Sequence, residues 1–574
     1  MDYKKMYETW LNDPIIDAAA KQELLSIKDD EKEIEDRFFK QLEFGTGGMR
    51  GVLGVGTNRL NIYTVRRATQ GLANYILKSD DYKPGMGVAI AHDCRRMSPE
   101  FSKEAALVLN ANGIKTYTWD NLRSTPELSH AVRFFGCISG IVITASHNPP
   151  EYNGYKVYWS DGGQCPYPRD EAIISEVNKI VGFDMVKTIS LEEAKSKGLF
   201  ILASHEVDDA FIKCVKSQSL NTDCVKNSDI KIVFTPLYGA GNVPVMRALK
   251  EIGFKNVYPE TRQAGPNGDF PTVAYPNPEA KEAFTLSIET AKINDADIII
   301  ATDPDCDRVG VAVKHEGEYV LLSGNMTGVI LTEYIISSKK SAGTLPANGA
   351  VISTIVSTRM TEEITKQNGL TYIDVLTGFK YVGEKIKEFE KSGDHSYILG
   401  FEESYGYLAG THARDKDAVV ASMLICEAAA FYKEKGQTLV DALNKLYKEY
   451  GRFQEYVESI TLKGVDGLND IKRIMAGLRE NPPTEIGGGT VKTIKDYKNS
   501  IEKCIKTNKT KKIDLPVSDV VHFTMNDESW ACVRPSGTEP KIKLYFGTKL
   551  PKDASEKDAD DKLKIMTNDL KKFM

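Results

Sequence analysis

The stretch DIIIATDPDCDRVGVAV, residues 297–313, joins an apolar run, an acidic turn and a second apolar run. Its first five residues are rich in isoleucine, a β-branched residue that favours strands. A strand this apolar is expected to end near the protein interior. The acidic turn therefore lies in a place where unpaired carboxylates are costly, which marks it as a candidate site.

Similar apolar runs recur along the chain and alternate with longer helical patterns. We predict strands over residues 87–91, 114–119, 230–234, 297–301, 351–355 and 397–399. A helix is predicted over residues 99–112, with Ser98 as its N-cap and Gly113 as its stop. Strands that alternate with helices indicate an α/β protein with mixed or parallel sheets.

The length of the chain, 574 residues, is too great for one compact core and predicts three to five domains. Polar or glycine-containing stretches near residues 190–197 and 317–324, and a change of texture after Gly451, indicate boundaries between them.

Composition and charge exclude several classes of protein. The net charge of −6 gives no general attraction to nucleic acid or to anionic membranes. The N-terminus is charged, and the apolar runs are far shorter than the ~20 residues that span a bilayer, so neither a signal peptide nor a membrane helix is expected. The nine cysteines contain no C-x-x-C pair, which favours reduced thiols in the cytoplasm.

Polar clusters follow three of the apolar runs. They are ASHNP after residues 140–144, TDPDCDR after residues 297–301 and FEESYG after residues 397–400. In α/β sheets, ligands bind beyond the carboxyl ends of the strands. We therefore expect the three clusters to face one site.

The aspartates of the second cluster, Asp303, Asp305 and Asp307, are spaced two residues apart, so that a loop can direct them to one point. Three close carboxylates repel one another unless a cation neutralises them, and a set of oxygen ligands suits Mg²⁺. A calcium EF-hand is excluded because Arg308 and Lys314 occupy the positions that need glycine and glutamate. The alternative is a solvated acidic turn.

Ser146 follows an apolar run in a tight turn, where a serine often serves only as a cap. A hydrolase nucleophile is not supported, because the chain contains no G-x-S-x-G. We also expect the adjacent His147 to point away from Ser146 rather than to act as its base. A phosphoserine at residue 146 would supply the anionic ligand that three aspartates and Mg²⁺ leave unfilled.

Two further segments are suited to phosphate. In residues 534–541, RPSGTEPK, Arg534 offers bidentate recognition, two hydroxyls offer donors, and Gly537 allows close approach of backbone N–H groups. Residues 45–51, GTGGMRG, are a weaker signal of the same kind. Neither a P-loop nor a G-x-G-x-x-G occurs, so nucleotide binding has no support.

Together these segments resemble the α-D-phosphohexomutase superfamily of phosphoglucomutases and phosphomannomutases. GTGGMRG, TASHNPPEYNGYK, DPDCDR, GFEESYGYL and RPSGTEPKIKLY occur in the order of that family, and GFEESYG is closer to its glucose and pentose phosphate branch. The resemblance implies an α/β fold with four domains around a central cleft, three similar mixed-sheet α/β domains and a smaller C-terminal α+β domain. The implied domains are residues 1–205 for the phosphoserine, 206–322 for the metal, 323–452 for the sugar and 453–574 for the distal phosphate.

The resemblance also implies roles for individual residues. The catalytic residues would be Ser146, Lys156, Lys416, Arg50 and Arg308, and the metal ligands would be the phosphate of Ser146 with Asp303, Asp305 and Asp307. The substrate-binding residues would be Thr46 at the reaction centre, Thr377, Glu402 and Ser404 at the sugar hydroxyls, and Arg534, Ser536, Gly537 and Thr538 at the distal phosphate. Lys156 and Lys416 are both candidates for the general base, provided that a cationic neighbourhood lowers their pKa.

The expected activity is the interconversion of glucose 1-phosphate and glucose 6-phosphate through a phosphoserine enzyme, with Mg²⁺ as cofactor and glucose 1,6-bisphosphate as intermediate and activator. Phosphomannomutase and phosphopentomutase activities remain alternatives. Asp305-Cys-Asp307-Arg-Val309 also fits the D-x-D-x-[TV] pattern of phosphatases that use an aspartate nucleophile. A sugar-phosphate sensor without catalysis is a further alternative. Neither nucleic acid nor membrane is expected as a partner.

Overall fold

The structure, a computed structural model, describes residues 2–45, 48–462, 464–535 and 541–574. The chain divides into two compact units. The first unit comprises residues 1–322, 379–393 and 405–434, and the second comprises residues 323–378, 394–404 and 435–574.

Helices and strands alternate along most of the chain. The helices are α1 (Tyr3–Asn12), α2 (Ala18–Ser26), α3 (Glu31–Phe38), α4 (Ile62–Lys78), α5 (Ser98–Ala111), α6 (Thr125–Phe134), α7 (Arg169–Asn178), α8 (Leu191–Ser196), α9 (Glu206–Lys216), α10 (Thr222–Asn227), α11 (Asn242–Ile252), α12 (Thr261–Ala264), α13 (Thr285–Asn294), α14 (Gly324–Ser341), α15 (Met360–Gln367), α16 (Lys380–Ser392), α17 (Ala418–Lys433), α18 (Leu439–Tyr450), α19 (Gly464–Glu480) and α20 (Glu556–Lys571). The strands are β1 (Gly48–Val52), β2 (Gly87–His92), β3 (Lys115–Thr118), β4 (Ser139–Ile143), β5 (Tyr152–Trp159), β6 (Phe200–Leu202), β7 (Lys231–Thr235), β8 (Asn256–Pro259), β9 (Ile298–Thr302), β10 (Val309–His315), β11 (Glu318–Leu322), β12 (Gly349–Thr354), β13 (Thr371–Val375), β14 (Ser396–Glu402), β15 (Gly406–Leu408), β16 (Arg452–Thr461), β17 (Glu485–Ile486), β18 (Gly489–Asp496), β19 (Ile501–Cys504), β20 (Thr510–Lys512), β21 (Val521–Met525), β22 (Trp530–Pro535) and β23 (Lys541–Leu550).

The first unit contains two mixed sheets. The N-terminal sheet has the order β1-β5-β4-β2-β3-β6, in which β2, β3, β4 and β6 run parallel and β5 pairs antiparallel with both β4 and β1. All residues of β2 and β4 are buried, because apolar side chains from α4, α5 and α7 pack on one face and those of α6 pack on the other. The sheet is therefore covered on both faces, as the apolar runs predict.

The second sheet of this unit has the order β11-β10-β9-β7-β8. Strands β7, β8 and β9 are parallel, and β10 and β11 return antiparallel. Strand β9, predicted at residues 297–301, is wholly buried. The acidic turn consequently begins at the buried carboxyl end of a central strand.

The second unit contains a parallel arrangement of β13, β12 and β14 and a C-terminal antiparallel sheet. The C-terminal sheet has the order β16-β23-β22-β21-β18-β19-β20, with β17 paired to β18. Apolar residues of α19 and α20 pack against it around Met475 and Met566. The chain thus has mixed α/β sheets in its earlier part and a β-rich final part.

The predicted strands are all present, with ends that shift by at most three residues. The predicted cap of α5 is wrong. Ser98 is the first residue of the helix, and its hydroxyl donates to Asp93 Oδ1 (2.9 Å) instead of capping. Met97, with a φ of 64°, precedes the helix, and Gly113, with a φ of 77°, follows its end. Among the described residues, no helix combines the length and the apolar character that crossing a bilayer requires.

Candidate active site

Ser146 lies at the carboxyl end of β4 in a sharply bent turn. Its φ of 53° is in the left-handed region, which is strained for a residue with a side chain, and it is almost completely buried. The turn is closed by a bond from the Ser146 N–H to Thr144 Oγ1 (2.8 Å), and the Thr144 hydroxyl donates to Asp93 Oδ2 (2.6 Å). These bonds fix the direction of the serine side chain.

A buried arginine from another strand end holds the same turn. Arg95 Nη2 donates to the carbonyl oxygens of Ser146 (2.6 Å) and Asn148, and its Nη1 donates to those of Pro149 (2.8 Å) and Tyr152 (2.9 Å). One guanidinium thus satisfies four carbonyl groups of the irregular backbone that follows β4. The otherwise strained conformation is stabilised from outside the turn.

The hydroxyl of Ser146 connects the turn to the aspartate cluster. Ser146 Oγ donates to Asp303 Oδ2 (2.6 Å), and it also lies 3.2 Å from Nδ1 of His147. The expectation that His147 points away from Ser146 is therefore wrong, because the left-handed backbone at Ser146 turns the next side chain back toward it. Burial, together with Arg308 and Arg50, lowers the pKa of His147 well below its usual value.

The aspartate cluster is organised by its own backbone. Asp303 Oδ1 accepts from the N–H groups of Asp307 (3.1 Å) and Arg308 (3.0 Å), and the Asp303 carbonyl accepts from the Cys306 N–H (2.9 Å). Cys306 has a φ of 55°, which reverses the chain between β9 and β10. The loop thereby presents three carboxylates on one side.

Two lysines and a threonine hold one carboxylate oxygen each of Asp305 and Asp307. Asp305 Oδ2 accepts from Lys156 Nζ (2.7 Å) and from Thr125 Oγ1 (2.8 Å). Asp307 Oδ2 lies 3.3 Å from Lys156 Nζ and 3.2 Å from Lys416 Nζ. Both lysines therefore lie at the cluster.

The cluster fits a divalent cation. One carboxylate oxygen from each of Asp303, Asp305 and Asp307 lies within 4.8 Å of the others, and all three residues are buried. Within the described residues, Asp305 Oδ1 and Asp307 Oδ1 are buried without a hydrogen-bond partner. Buried orphan oxygens are rare in folded proteins, and an oxygen-binding cation accounts for these two.

The charges of the cluster are strongly shifted. Burial, and then repulsion by Asp305 and Asp307, raises the pKa of Asp303 well above its usual value. Burial also opposes ionisation of Asp307, but Lys416, Lys156 and Arg308 outweigh it and lower the pKa of that carboxyl. A carboxyl whose pKa is raised beside one whose pKa is lowered is typical of a functional site.

The condition for a lysine base is not met by Lys156 in this state. Burial disfavours its ammonium form, but Asp305 and Asp307 outweigh burial and raise its pKa. The pKa of Lys156 is raised because the nearest charges to it are carboxylates rather than cations. A general base needs a lowered pKa instead.

The remaining residues predicted for the reaction centre of the first unit lie around it. Arg308 Nη1 donates to Glu279 Oε1 (2.8 Å), while Arg50 Nη1 donates to Asn148 Oδ1 (3.0 Å) in the serine turn. Strands β1 and β5 position Arg50 and Lys156, since Gly48 pairs with Lys156 in their register. The structure therefore brings Ser146, the three aspartates, Arg308, Lys156 and Lys416 together, with Arg50 beside the turn.

The segment that carries Lys416 is anchored by Asp415. Asp415 Oδ2 accepts from Tyr158 Oη (2.6 Å) and Gln164 Nε2 (3.1 Å), and its Oδ1 accepts from the Lys416 N–H (2.8 Å). Asp417 caps α17 through the N–H groups of the two valines that follow. These bonds tie the lysine to strand β5 of the N-terminal sheet.

The second unit holds the predicted sugar- and phosphate-binding residues that the structure describes. Glu402 is buried at the end of β14, and Ser404 follows it half-buried. Burial, and then the neighbouring Glu402, raise the pKa of Glu403, and Arg534 at the end of β22 opposes that rise. Glu403 accepts a hydrogen bond from Thr354 Oγ1 (2.8 Å). Thr377 lies half-buried beyond the end of β13, and the structure gives no contact that joins it to this group. Thr46, Ser536, Gly537 and Thr538 lie outside the described residues.

Several residues of the site were not predicted from the sequence, notably Asp93, Arg95, Thr125 and Asp415. Asp93 and Arg95 follow strand β2 directly, so the same signal of polar residues at a strand end was present there. Thr125 begins a helix and Asp415 lies in a loop, and neither has a comparable pattern.

Comparisons with known proteins identify the family of the domains. Three consecutive domains of the phosphoglucomutase/phosphomannomutase family, alpha/beta/alpha domains I, II and III, match residues 41–182, 209–317 and 323–450. A phosphoglucomutase of Staphylococcus aureus (strain MRSA252) is 37% identical over 525 residues, which cover 91% of this chain and 92% of the relative.

Solved structures share the fold at lower sequence identity. The open form of Paramecium pp63/parafusin, a phosphoglucomutase, matches with a TM-score of 0.68 and 18% identity over 93% of this chain and 96% of that one. A phosphoglucomutase/phosphomannomutase family protein of Burkholderia thailandensis matches with a TM-score of 0.65 and 18% identity, covering 93% of this chain and 98% of that one. From the matched domains and the close curated relative together, the chain belongs to the phosphoglucomutase/phosphomannomutase family.

Proposed function

We propose that the chain is a phosphoglucomutase that interconverts glucose 1-phosphate and glucose 6-phosphate through a phosphoserine at residue 146. The observation that carries the proposal is the bond of 2.6 Å from Ser146 Oγ to Asp303 Oδ2, within a buried group of three carboxylates. A hydroxyl in this position gains phosphate only where a cation and arginines balance the added charge. Asp303, Asp305 and Asp307 provide for the cation, and Arg308 and Arg50 lie nearby.

The proposed metal is Mg²⁺, held by Asp303, Asp305 and Asp307 together with the phosphate of Ser146. When bound, it would neutralise negative charge on the phosphoryl group during transfer. The fit rests on a donor set made only of oxygen atoms and on the two buried orphan oxygens of Asp305 and Asp307.

The transfer itself needs position and charge more than covalent chemistry. The bond between phosphorus and Ser146 Oγ breaks as a sugar hydroxyl forms its own bond to phosphorus, and the hydroxyl proton passes to a base. Arg308 steadies the phosphoryl group in transit. Lys156 and Lys416 remain the candidate bases, and a cation held by Asp305 and Asp307 would weaken their effect on Lys156 and so lower its pKa.

The product of this first step is glucose 1,6-bisphosphate, which also serves as the activator that phosphorylates the free serine. The bisphosphate turns around and returns its other phosphate to Ser146. In the proposed domain organisation, residues 1–205 carry the phosphoserine and residues 206–322 bind the metal. Residues 323–452 bind the sugar through Thr377, Glu402 and Ser404. Residues 453–574 bind the distal phosphate through Arg534, Ser536, Gly537 and Thr538, and Thr46 is proposed to lie near the reaction centre.

Glucose is the proposed sugar because the relative with 37% identity over most of both chains is a phosphoglucomutase. The GFEESYG segment around Glu402 and Ser404 supports the same choice. Parallel kinetics on glucose, mannose and ribose 1-phosphates test it, and comparable kcat/KM for all three would contradict a preference for glucose. The enzyme is also proposed to be a phosphoprotein and to work in the cytoplasm, where its nine cysteines, which contain no C-x-x-C pair, would stay reduced.

Substitution of Ser146 by alanine tests the carrier. We expect intact-mass measurement to lose the phosphorylated species, and a coupled assay with Mg²⁺ and glucose 1,6-bisphosphate to lose turnover of glucose 1-phosphate. The matched control is Ser204→Ala, an exposed serine of the same region, which should keep both. Normal turnover by Ser146→Ala would overturn the proposal, and absence of turnover in the unsubstituted protein would favour a sensor.

An aspartate-nucleophile phosphatase makes a different prediction for the covalent intermediate. There the phosphate would be an acyl phosphate on Asp305, which hydroxylamine cleaves, whereas phosphoserine resists it. Asp305 Oδ2 accepts hydrogen bonds from Lys156 and Thr125, so Asp305 Oδ1, which has no hydrogen-bond partner among the described residues, would be the attacking oxygen in that alternative. Hydroxylamine-sensitive phosphate that persists in Ser146→Ala would establish the phosphatase.

A further inference from the structure

A cavity of about 370 Å³ lies in the first unit where the N-terminal helices meet the rest of that unit. Its walls come from α1 and the loop after it, from the start of α4, and from residues 180–186. Its size falls within the range of ~300–1,000 Å³ that is usual for small-molecule sites. None of the residues proposed for catalysis lines it.

Three aromatic side chains form one wall. Trp10, Tyr63 and Phe183 pack edge-to-face, with ring centroids 5.2–5.6 Å apart. Trp10 and Tyr63 are almost completely buried, so the half-buried Phe183 offers most of the accessible ring surface, and a flat aromatic ring can continue the same packing there. Ile15 and Val181 extend the apolar lining toward the opening, where they are exposed.

A cation without a counter-charge lies in this apolar wall. Arg67 Nε donates to the Ile180 carbonyl (2.8 Å) and its Nη1 to Gln41 Oε1 (3.1 Å). Within the part of the chain that the structure describes, Arg67 forms no salt bridge and its Nη2 has no hydrogen-bond acceptor. The Nη2 atom is also not completely buried. Burial lowers the pKa of Arg67, and no carboxylate restores it.

The neighbouring arginine, in contrast to Arg67, has a charged partner. Arg66, one residue earlier on α4, forms a salt bridge with Glu104 at 2.7 Å. Asp13 and Asp184 also line the cavity, but neither lies within salt-bridge distance of Arg67 among the described residues. Asp184 is exposed, and Asp13 accepts from the Ile15 N–H (2.9 Å). A half-buried guanidinium in an aromatic pocket therefore keeps a donor and a full charge available.

We infer that this cavity is a binding site for a small aromatic carboxylate, separate from the catalytic residues. The ring packs against Trp10, Tyr63 and Phe183, and the carboxylate accepts from Nη2 of Arg67. Charge-assisted bonds of this kind are strongest where water is partly excluded, as it is in this cavity. The inference concerns binding alone and does not depend on the proposed mutase activity.

The test uses 2-naphthoate as the probe and 2-naphthamide as its neutral counterpart, each titrated into the full chain by calorimetry. We expect the carboxylate to bind about tenfold or more tightly than the amide, because a hydrogen bond between two charged groups is lost in the amide. Arg67→Gln should remove that difference, while Arg66→Gln should preserve it. Equal binding of the two probes, or no binding of 2-naphthoate at millimolar concentration, would overturn the inference.

A second pair of variants guards against misfolding of Arg67→Gln. Val181 lines the cavity but is 88% exposed, so that its replacement leaves the packing intact. Val181→Asp should weaken 2-naphthoate binding several-fold and Val181→Lys should strengthen it, with little effect on 2-naphthamide. Indifference of the carboxylate to both substitutions would place its binding elsewhere and overturn the inference.

Discussion

The serine turn and the aspartate loop follow two buried strands of the same unit, yet they are held in different ways. The aspartate loop supplies part of its own support, since Asp303 accepts from the N–H groups of Asp307 and Arg308 within one short segment, and Thr125 adds bonds to Asp305 from outside. The serine turn is held from outside by Arg95, which lies 51 residues before Ser146 in the chain. A loop that is stabilised by hydrogen bonds between neighbouring residues can be recognised in a sequence. A turn that is stabilised by a residue far away in the chain can be recognised only in part.

The two segments also differ in electrostatic balance. The aspartate loop concentrates negative charge that Lys156 and Lys416 offset only in part. In the serine turn, by contrast, the buried guanidinium of Arg95 lies 3.4 Å from Asp93 and satisfies neutral carbonyl groups. We therefore expect substitutions in the loop to change activity more than stability, and substitutions at the arginine to change stability first.

The largest effect on activity is expected from Asp303→Asn. The amide oxygen can still accept from the two N–H groups, and the amide nitrogen can donate to Ser146 Oγ, so that the local bonds survive. The charge is lost, and turnover should fall about 10²–10³-fold, as it does when one electrostatic contact to a transition state is removed. Because repulsion in the cluster is relieved, the melting temperature in the presence of EDTA should stay equal or rise.

The control for this substitution is Asp295→Asn. Asp295 precedes β9 on the surface, and its φ of 52° is a conformation that asparagine tolerates. It should leave turnover unchanged. A metal-free Asp303→Asn protein that melts well below the parent would show that the carboxylates do not repel one another as described.

Arg95→Met should produce the largest loss of stability. It leaves Asp93 buried without its ion-pair partner and frees four carbonyl groups, and removal of one partner from a buried pair costs about 3–5 kcal/mol. Urea unfolding measures this loss, and turnover should fall because the serine turn loosens.

The neighbouring Arg96 provides the matched control. Its side chain is 58% exposed and pairs with Asp269 on the surface, so Arg96→Met should cost only about 0–1 kcal/mol. Adding Asp93→Asn to Arg95→Met should recover part of the lost stability, since it removes the unpaired charge. If Arg95→Met unfolds at the same urea concentration as the parent, the turn is held by other contacts.

The same contrast explains how much the sequence predicts. The strands and the aspartate loop follow from local patterns, because apolar runs and ligand spacing lie within a few residues of each other. The position of His147 was predicted wrongly, because adjacency in sequence assumes an ordinary backbone and the φ of 53° at Ser146 violates that assumption. Thr125 and the cavity beside Arg67 depend on contacts between distant segments, which no local pattern encodes, and the strand-end signal at Arg95 does not reveal which carbonyl groups it holds.

The assignment of residues to the sugar and the distal phosphate depends more on resemblance than on physics. Glu402 and Arg534 carry suitable chemistry, but their spacing in the sequence does not fix which hydroxyl or phosphate oxygen they would meet. The boundaries at residues 205, 322 and 452 likewise stay predictions. The residue types in a short segment indicate the class of ligand that it binds. The three-dimensional positions of residues from distant segments are needed to decide which ligand of that class is bound.

A smaller effect is expected from Thr125→Val, which tests the borrowed support of the aspartate loop. Valine keeps the shape but loses the bond from the threonine hydroxyl to Asp305 Oδ2, while the backbone bond from the Thr125 N–H to the Asp305 carbonyl (2.9 Å) remains. Groups that orient metal ligands typically change metal affinity by 10–100-fold. We expect the Mg²⁺ concentration for half-maximal turnover to rise about tenfold, with turnover at saturating Mg²⁺ nearly retained.

Two variants complete that experiment. Thr125→Ser restores the hydroxyl and should restore the Mg²⁺ dependence, and Thr118→Val, a buried threonine of the same sheet region, should not change it. A loss of maximal turnover in Thr125→Val without a change in Mg²⁺ dependence would mean that the threonine acts on the substrate rather than on Asp305.

The smallest effect is expected from Glu127, which closes the capping box of the helix that Thr125 begins. Burial raises the pKa of Glu127 to about 7, well above the ~4.3 of an unfolded chain. The folded protein therefore holds this proton more tightly, and its stability falls as the pH rises from about 4.5 to 7 and then levels off.

Glu127→Gln keeps a polar group at the cap without the titration, so it should be more stable than the parent at pH 8, by about 1–3 kcal/mol, and gain little at pH 4.5. Urea unfolding at both pH values, beside the exposed Glu100→Gln at the start of α5, measures this gain. An equal change at both pH values would mean that Glu127 is ionised in the folded protein, and that the start of α6 carries a negative charge close to Asp305.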